Sequence, residues 1–248
     1  MKAMIFAAGL GTRLKPLTDH MPKALVPVAG RPMLEHVILK LKEAGFTELV
    51  INIHHFGEQI IDFLKANQNF GLTIHISDER DRLLDTGGGI KKAATFFTGT
   101  EPFLVHNVDI LSNADLKEVY DFHRKSQNLA TLLVSPRKTS RHLLFDTDNR
   151  LQGWIHKDTL QTKPEGFVYE PGQYREYAFS GIHVISPELF HYMDGISHSG
   201  MPTAFRKVRC GSASSLCTVV NCRPSASSIP GRVWNLCLTV CPLQRFCR

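Results

Sequence analysis

Cysteine is absent from the first 200 residues of this 248-residue chain, and acid is absent from the last 48. All six cysteines fall between Cys210 and Cys247, and the final carboxylate side chain is Asp194. The first absence excludes a disulfide framework for the body of the chain. No apolar run approaches the roughly 18 to 20 residues that span a bilayer, which excludes a transmembrane helix. The apolar stretch from Ala3 to Leu10 is short, follows a lone Lys2 and runs into Gly11, Thr12 and Arg13. It therefore reads against a secretory signal, and a cytoplasmic location is expected. There is no internal repeat.

A formal charge of +6 and a pI of about 9.0 would suit a nucleic-acid or membrane partner, but the charge is not spread along the chain. Seven basic residues from Arg206 to Arg248, with no acid among them, leave the first 200 residues at −1. Neither nucleic acid nor membrane is therefore an expected partner of the body of the chain.

Three readings of residues 201–248 stay open. A disulfide module would need an oxidising compartment. A zinc site would want paired Cys or His spacings, whereas the cysteine positions differ by 7, 5, 15, 4 and 6 and no His follows His198. The third reading is a frame-shifted translation of another coding sequence, and the Ser-, Cys-, Arg- and Pro-rich, acid-free, aperiodic composition favours it. The expected division is a globular domain over 1–200 and an atypical tail over 201–248.

What the first 200 residues do contain is short apolar runs alternating with amphipathic segments, the pattern of strands joined by crossover helices. Lys2 to Ala7, Leu49 to Ile53, Leu72 to Ile76, Phe103 to Val108 and Ala130 to Val134 read as strands. Between them, Met33, Leu34, Val37, Ile38 and Leu41 recur at helical spacing between Pro32 and Gly45, and helices are expected at Gln59 to Lys65, Ile90 to Phe97 and Leu116 to Lys125. The expected fold is α/β: a doubly wound, mostly parallel sheet with helices on both faces. Beyond about residue 135 the alternation weakens. Arg141 to Phe145, Leu151 to His156 and Ala178 to Ile185 read as antiparallel strands of a substrate pocket covering 135–195.

Ligands in such sheets sit beyond the carboxyl ends of strands, which directs attention to the loops after Ala7 and Val108. The first runs Ala7-Ala8-Gly9-Leu10-Gly11-Thr12-Arg13-Leu14. It has Leu14 where a dinucleotide loop would carry its third glycine, and it lacks P-loop spacing. Two cations follow, Arg13 and Lys23, along a path stiffened by Pro16 and Pro22. Backbone N–H groups with nearby point charges suit a triphosphate.

The whole run from Lys2 to Met33, with Gly11-Thr12-Arg13-Leu14, Pro16-Leu17-Thr18 and Pro22-Lys23-Ala24-Leu25-Val26-Pro27-Val28, resembles the signature of the sugar-1-phosphate nucleotidyltransferases. Leu84-Asp85-Thr86-Gly87-Gly88-Gly89-Ile90 resembles their base-recognition turn, Phe103 to Asp109 their metal-carrying strand end, and Phe179-Ser180-Gly181-Ile182 their sugar-pocket strand. The triple glycine and Phe-Ser-Gly-Ile are most similar to the N-acetylmuramate-1-phosphate uridylyltransferases, with mannose-1-phosphate guanylyltransferases as near relatives. The likeness covers about residues 1–195.

The resemblance implies an enzyme that transfers a nucleoside monophosphate from an NTP, UTP or GTP, to a sugar 1-phosphate with Mg²⁺. It implies nucleotide contacts at Ala8, Gly9, Gly11, Thr12, Gly87 and Gly88, catalytic roles for Arg13 and Lys23, sugar contacts at Asn107 and Gly181, and Mg²⁺ at Asp109. His54 and His55 read as packing or surface residues, and Phe96, Phe97 and Phe103 as core. Two departures stand out: Val108 occupies the place of the usual glycine before the metal Asp, and no carboxylate follows Asp194. The family's second metal Asp would fall in Gly231 to Leu236, so its loss, with the last helix and strand of the core, is expected. A non-catalytic nucleotide-binding homologue and a choline-phosphate cytidylyltransferase of the same fold are the alternatives. Oligomeric state has no signal here.

Overall fold

A computed structural model describes residues 1–126, 128–164 and 166–193, together with the backbone of 217–221 and 238–239. In chain order the elements are β1 (Lys2–Phe6), a two-residue ribbon of β2 (Pro27–Val28) and β3 (Arg31–Pro32), α1 (Met33–Glu43), β4 (Glu48–Ile53), α2 (Gly57–Ala66), β5 (Thr73–Asp78), α3 (Thr86–Lys92), β6 (Phe103–Asn107), β7 (Ile110–Leu111), α4 (Leu116–Ser126), β8 (Ala130–Ser135), β9 (Arg141–Phe145), β10 (Leu151–His156), β11 (Gln161–Lys163), β12 (Arg175–Ile185), β13 (Cys217–Asn221) and β14 (Leu238–Thr239). Among the described residues no helix is long and apolar enough to cross a membrane.

The helices form where the sequence spacing places them. Met33, Leu34, Val37, Ile38 and Leu41 are the buried face of α1, and Gly45 follows it at φ +87°, a left-handed residue that ends the helix. One expectation shifts. The helix expected from Ile90 starts at Thr86, with the triple glycine inside its first turn, and tightens into a 3-10 turn at Ala93–Phe96. Glycine is a poor helix former, but a Cβ at Gly89 would stand 2.9 Å from both Glu79 Oε1 and Phe6 Cε1. Close packing against β1 and β5 overrides propensity there.

The central sheet is parallel around β1, which pairs with β4 on one side and β6 on the other, with β5 beyond β4. Successive residues of β1 face opposite layers. Ala3 and Ile5 join the cluster built on α1, α2 and α4, while Met4 joins Ile90, Ala93 and Phe97 on the far face. The sheet is thus covered by helices on both sides, as expected.

The fifth expected strand corrects the simple alternation. β8 does not lie beside β6, because β12 inserts between them, antiparallel to both, pairing Val184 with Leu104 and with Thr131. Its first residues continue outward to pair with β9, which carries β10 and β11. The antiparallel part expected over 135–195 is therefore a continuation of the main sheet. From the tail, β13 runs parallel beside β8, and β14 pairs antiparallel with β7.

Candidate active site

The sheet order places a switch point at β1. The chain leaves β1 for β4 and β5 on one side, then returns to build β6 on the other. The crevice that opens where the order reverses is where doubly wound sheets bind ligands. The loops bordering it are the glycine loop after β1 and the turn after β6, and they are tied together by the Val108 N–H donating to the Phe6 carbonyl at 3.1 Å.

The glycine loop is held from below and folded back on itself. Asn52, near the end of β4 and buried, accepts from the Ala7 N–H at 2.7 Å and the Ala8 N–H at 3.2 Å through Oδ1. The Ala8 N–H is thus turned inward onto Asn52. Gly11 adopts φ +66°, and its carbonyl accepts from the Leu14 N–H at 2.8 Å and from Thr18 Oγ1 at 2.9 Å. A Cβ on Gly11 would meet Thr18 Cγ2 at 2.8 Å and Lys23 Cβ at 3.1 Å, whereas one on Gly9 would meet nothing within 4 Å. Gly11 is required by the fold of the loop, and Gly9 leaves its mouth open.

Two expected residues of opposite charge meet in this crevice. Lys23, in the 3-10 turn Lys23–Leu25, donates from Nζ to Asp109 Oδ2 in the turn between β6 and β7. The two side chains are 17% and 24% exposed, so the pair is shielded yet reachable from solvent. Arg13 stands exposed on the 3-10 turn Thr12–Leu14, beside the exposed Thr12, and no ion pair among the described residues holds it.

Asn107 and Gly181, both expected at the sugar, also come together. Gly181 lies in β12 at φ +75°, and a Cβ there would meet Asn107 Nδ2 at 3.1 Å and Ile110 Cγ1 at 2.7 Å. Gly87 and Gly88 open α3 beside Leu84, whose N–H donates to Glu79 Oε2 at 3.1 Å. Phe97 and Phe103 are core and stack at 3.8 Å between centroids, and Phe96 is partly buried against the His75 ring. His54 donates from Nδ1 to the Glu79 carbonyl at 2.7 Å, a packing role as expected.

Asn52, Glu79 and Thr18 were not legible as site residues. The one signal for Asn52 is a polar side chain inside the apolar run Leu49-Val50-Ile51-Asn52-Ile53. The segment Gly231 to Leu236, compared above with the family's second metal Asp, lies outside the described residues.

Magnesium commonly takes one or two carboxylates and fills its octahedron with phosphate oxygens and water. Among the described residues no group of three or more His, Cys, Asp or Glu side chains comes together. Asp109 at the mouth of the crevice fits as the single protein carboxylate of such a site, and Lys23 already presents a cation to it.

Residues 2–203 match the Nucleotidyl transferase family. The N-acetylmuramate alpha-1-phosphate uridylyltransferase of Neisseria meningitidis serogroup B is 36% identical over 204 residues, 79% of this chain and 78% of the relative. A probable mannose-1-phosphate guanylyltransferase of Oryza sativa subsp. japonica is 39% identical over 166 residues, 64% of this chain and 46% of the relative. Among solved structures, a putative glucose-1-phosphate thymidylyltransferase from Bacillus anthracis shares the fold at TM-score 0.72 and 20% identity, over 89% of this chain and 86% of that one. On the strength of that family match and these identities, the chain belongs to the nucleotidyl transferase family, among its sugar-1-phosphate nucleotidyltransferases.

Proposed function

We propose that this chain transfers a nucleoside monophosphate from UTP or GTP to a sugar 1-phosphate, releasing pyrophosphate. The observation that carries the reading is the Lys23–Asp109 pair at the β1/β6 switch point, between a glycine loop and a strand-end turn. An oxygen of the sugar phosphate attacks the α-phosphorus in line, a new P–O bond forms, and the bond to the β-phosphate oxygen breaks. Such a reaction asks the protein for positioning and charge neutralisation.

The Gly9 and Gly11 N–H groups hold the phosphates, and exposed Arg13 draws the leaving pyrophosphate. Lys23 releases Asp109 and bridges the α-phosphate and the acceptor phosphate. Asp109 is the carboxylate that would hold Mg²⁺, which when bound neutralises charge on the phosphate oxygens. The Gly87–Gly88 backbone lets the base approach α3, and Asn107 beside Gly181 borders the sugar. The names of the similar proteins, one a uridylyltransferase and one a guanylyltransferase, support UTP and GTP as donors.

The test is pyrophosphate release on mixing UTP or GTP with N-acetylmuramate, mannose and glucose 1-phosphates and Mg²⁺. Release that falls sharply in Arg13→Ala is expected. A second reading, a nucleotide-binding homologue without turnover, is favoured by the lack of any carboxylate after Asp194. Calorimetric NTP binding with no release from any pair would establish it instead.

A further inference from the structure

Glu79 is wholly buried, and burial pushes its carboxyl pKa up. A carboxylate so placed costs more than an apolar side chain of the same volume, unless its oxygens are satisfied. Both are. Oε1 accepts from Asn52 Nδ2 at 2.8 Å, and Oε2 accepts from the Leu84 N–H at 3.1 Å. The other end of the Asn52 amide accepts from the Ala7 and Ala8 N–H groups. The hydrogen bonds are therefore continuous and converge on Glu79 after β5: one arm donates from the glycine loop after β1 through Asn52 on β4, and the other donates from the turn that opens α3. Gly89 completes the fit, since a Cβ there would stand 2.9 Å from Glu79 Oε1. The Glu79 backbone is fixed as well: its N–H donates to the Ile53 carbonyl at 2.8 Å, and its carbonyl accepts from the Arg82 N–H at 3.0 Å.

We infer that Asn52 and Glu79 are positioning residues: a buried hydrogen-bond relay that sets the distance between the phosphate-holding loop at Ala7–Gly11 and the base-facing turn at Leu84–Gly88, so that both ends of one NTP are gripped in register. This rests on the nucleotidyl transfer reading given above. The relay touches no substrate. Its effect is on how well the two loops fit one nucleotide, and so on nucleotide affinity and on discrimination between UTP and GTP.

The direction of the donors supplies the test. Glu79 must accept twice. Gln at that position accepts once and sets an N–H group against either Asn52 Nδ2 or the Leu84 N–H. Asn52→Asp alone places two carboxylates face to face. The double variant Asn52→Asp with Glu79→Gln reverses the central bond, because Asp accepts from the loop and from the Gln amide while Gln accepts from Leu84. Every hydrogen bond is restored with the same number of heavy atoms.

Each single variant is expected to raise KM for the NTP tenfold or more and to narrow the preference between UTP and GTP. KM for the sugar phosphate should change less than threefold, and the double variant should return within threefold of wild type. Loss of thermal stability with unchanged NTP constants, or a double variant as impaired as the worse single, overturns the relay. Hydrogen exchange without nucleotide reads the same relay apart from activity: Glu79→Gln should lose protection at the Ala7, Ala8 and Leu84 amides together, and loss at Leu84 alone overturns it. Should wild type neither bind nor turn over any NTP, the transferase reading fails while the exchange result still decides the relay. Should the singles not fold, exchange in the double variant decides: wild-type protection at all three amides supports the relay, and exposure at any of them overturns it.

Discussion

The Lys23 ammonium donates to the Asp109 carboxylate across a separation of 86 residues, joining the end of the glycine-loop segment to the end of β6. The pair is only partly shielded, and such pairs contribute about 1 kcal/mol or less to stability. On the proposed reaction, it holds one cation and one carboxylate where phosphate charge must be met. Lys23→Met is expected to lower kcat/KM by about 10² to 10³, the effect of removing one donor that meets charge in the transition state. Asp109→Asn should fall comparably and shift the Mg²⁺ dependence to higher concentration. Steady-state pyrophosphate release and thermal melting check both, since a melting temperature that drops in step with activity would mark the pair as structural.

Gly11→Ala tests the loop. The substitution combines φ +66° with a Cβ 2.8 Å from Thr18 Cγ2. A left-handed conformation costs an L side chain about 1 to 2 kcal/mol, with the contact to Lys23 added. The expected result is a lower melting temperature together with weaker NTP binding by calorimetry. Gly9→Ala, which meets nothing in the protein, should leave the melting temperature in place and weaken NTP binding alone.

Gly181→Ala is expected to act on the acceptor. The new methyl would press on Ile110 and Asn107, both beside the β6 turn, and leave the glycine loop untouched. KM for the sugar phosphate should rise about tenfold or more while KM for the NTP moves little. Equal rises in both would remove Asn107 and Gly181 from the sugar pocket.

The pH dependence of stability follows from three buried histidines. His123 lies between Thr131 Oγ1 at 2.8 Å and Ser186 Oγ at 3.0 Å, and burial lowers its pKa to about 4. Burial lowers His106 to about 4, and burial with that neighbouring His106 lowers His183 to about 3. The unfolded chain takes up these protons near pH 6.5 and the folded one does not. Stability is therefore full above about pH 6.5 and is lost as pH falls towards 4, at roughly 2 kcal/mol per histidine by pH 5. Urea unfolding at pH 7.5 and pH 5 measures this, and His123→Gln should remove about a third of the difference.

The parallel half of the fold was legible because its signals are local. Helical spacing marked α1, and continuous apolar runs marked β1, β4 and β6, whose residues are buried on both faces. The insertion of β12 between β6 and β8 was not, since the partners of Ile182–Ile185 lie far away in sequence and leave no trace in its own composition. At the site, Lys23 and Asp109 were marked by their motifs. Asn52 and Glu79 were not, because an Asn in an apolar strand and a Glu among charged neighbours look ordinary until the structure places them in contact.

The position of β12 also constrains how the protein is made. The parallel strands around β1 are complete once Asn107 has been synthesised, but the outer edge of β6 acquires its neighbour only after Ile185 has left the ribosome. Until then a largely apolar strand presents unpaired N–H and C=O groups, the kind of edge that recruits other chains. A nascent chain stalled before Arg175 would carry this edge uncovered, open to pairing with a strand of another chain.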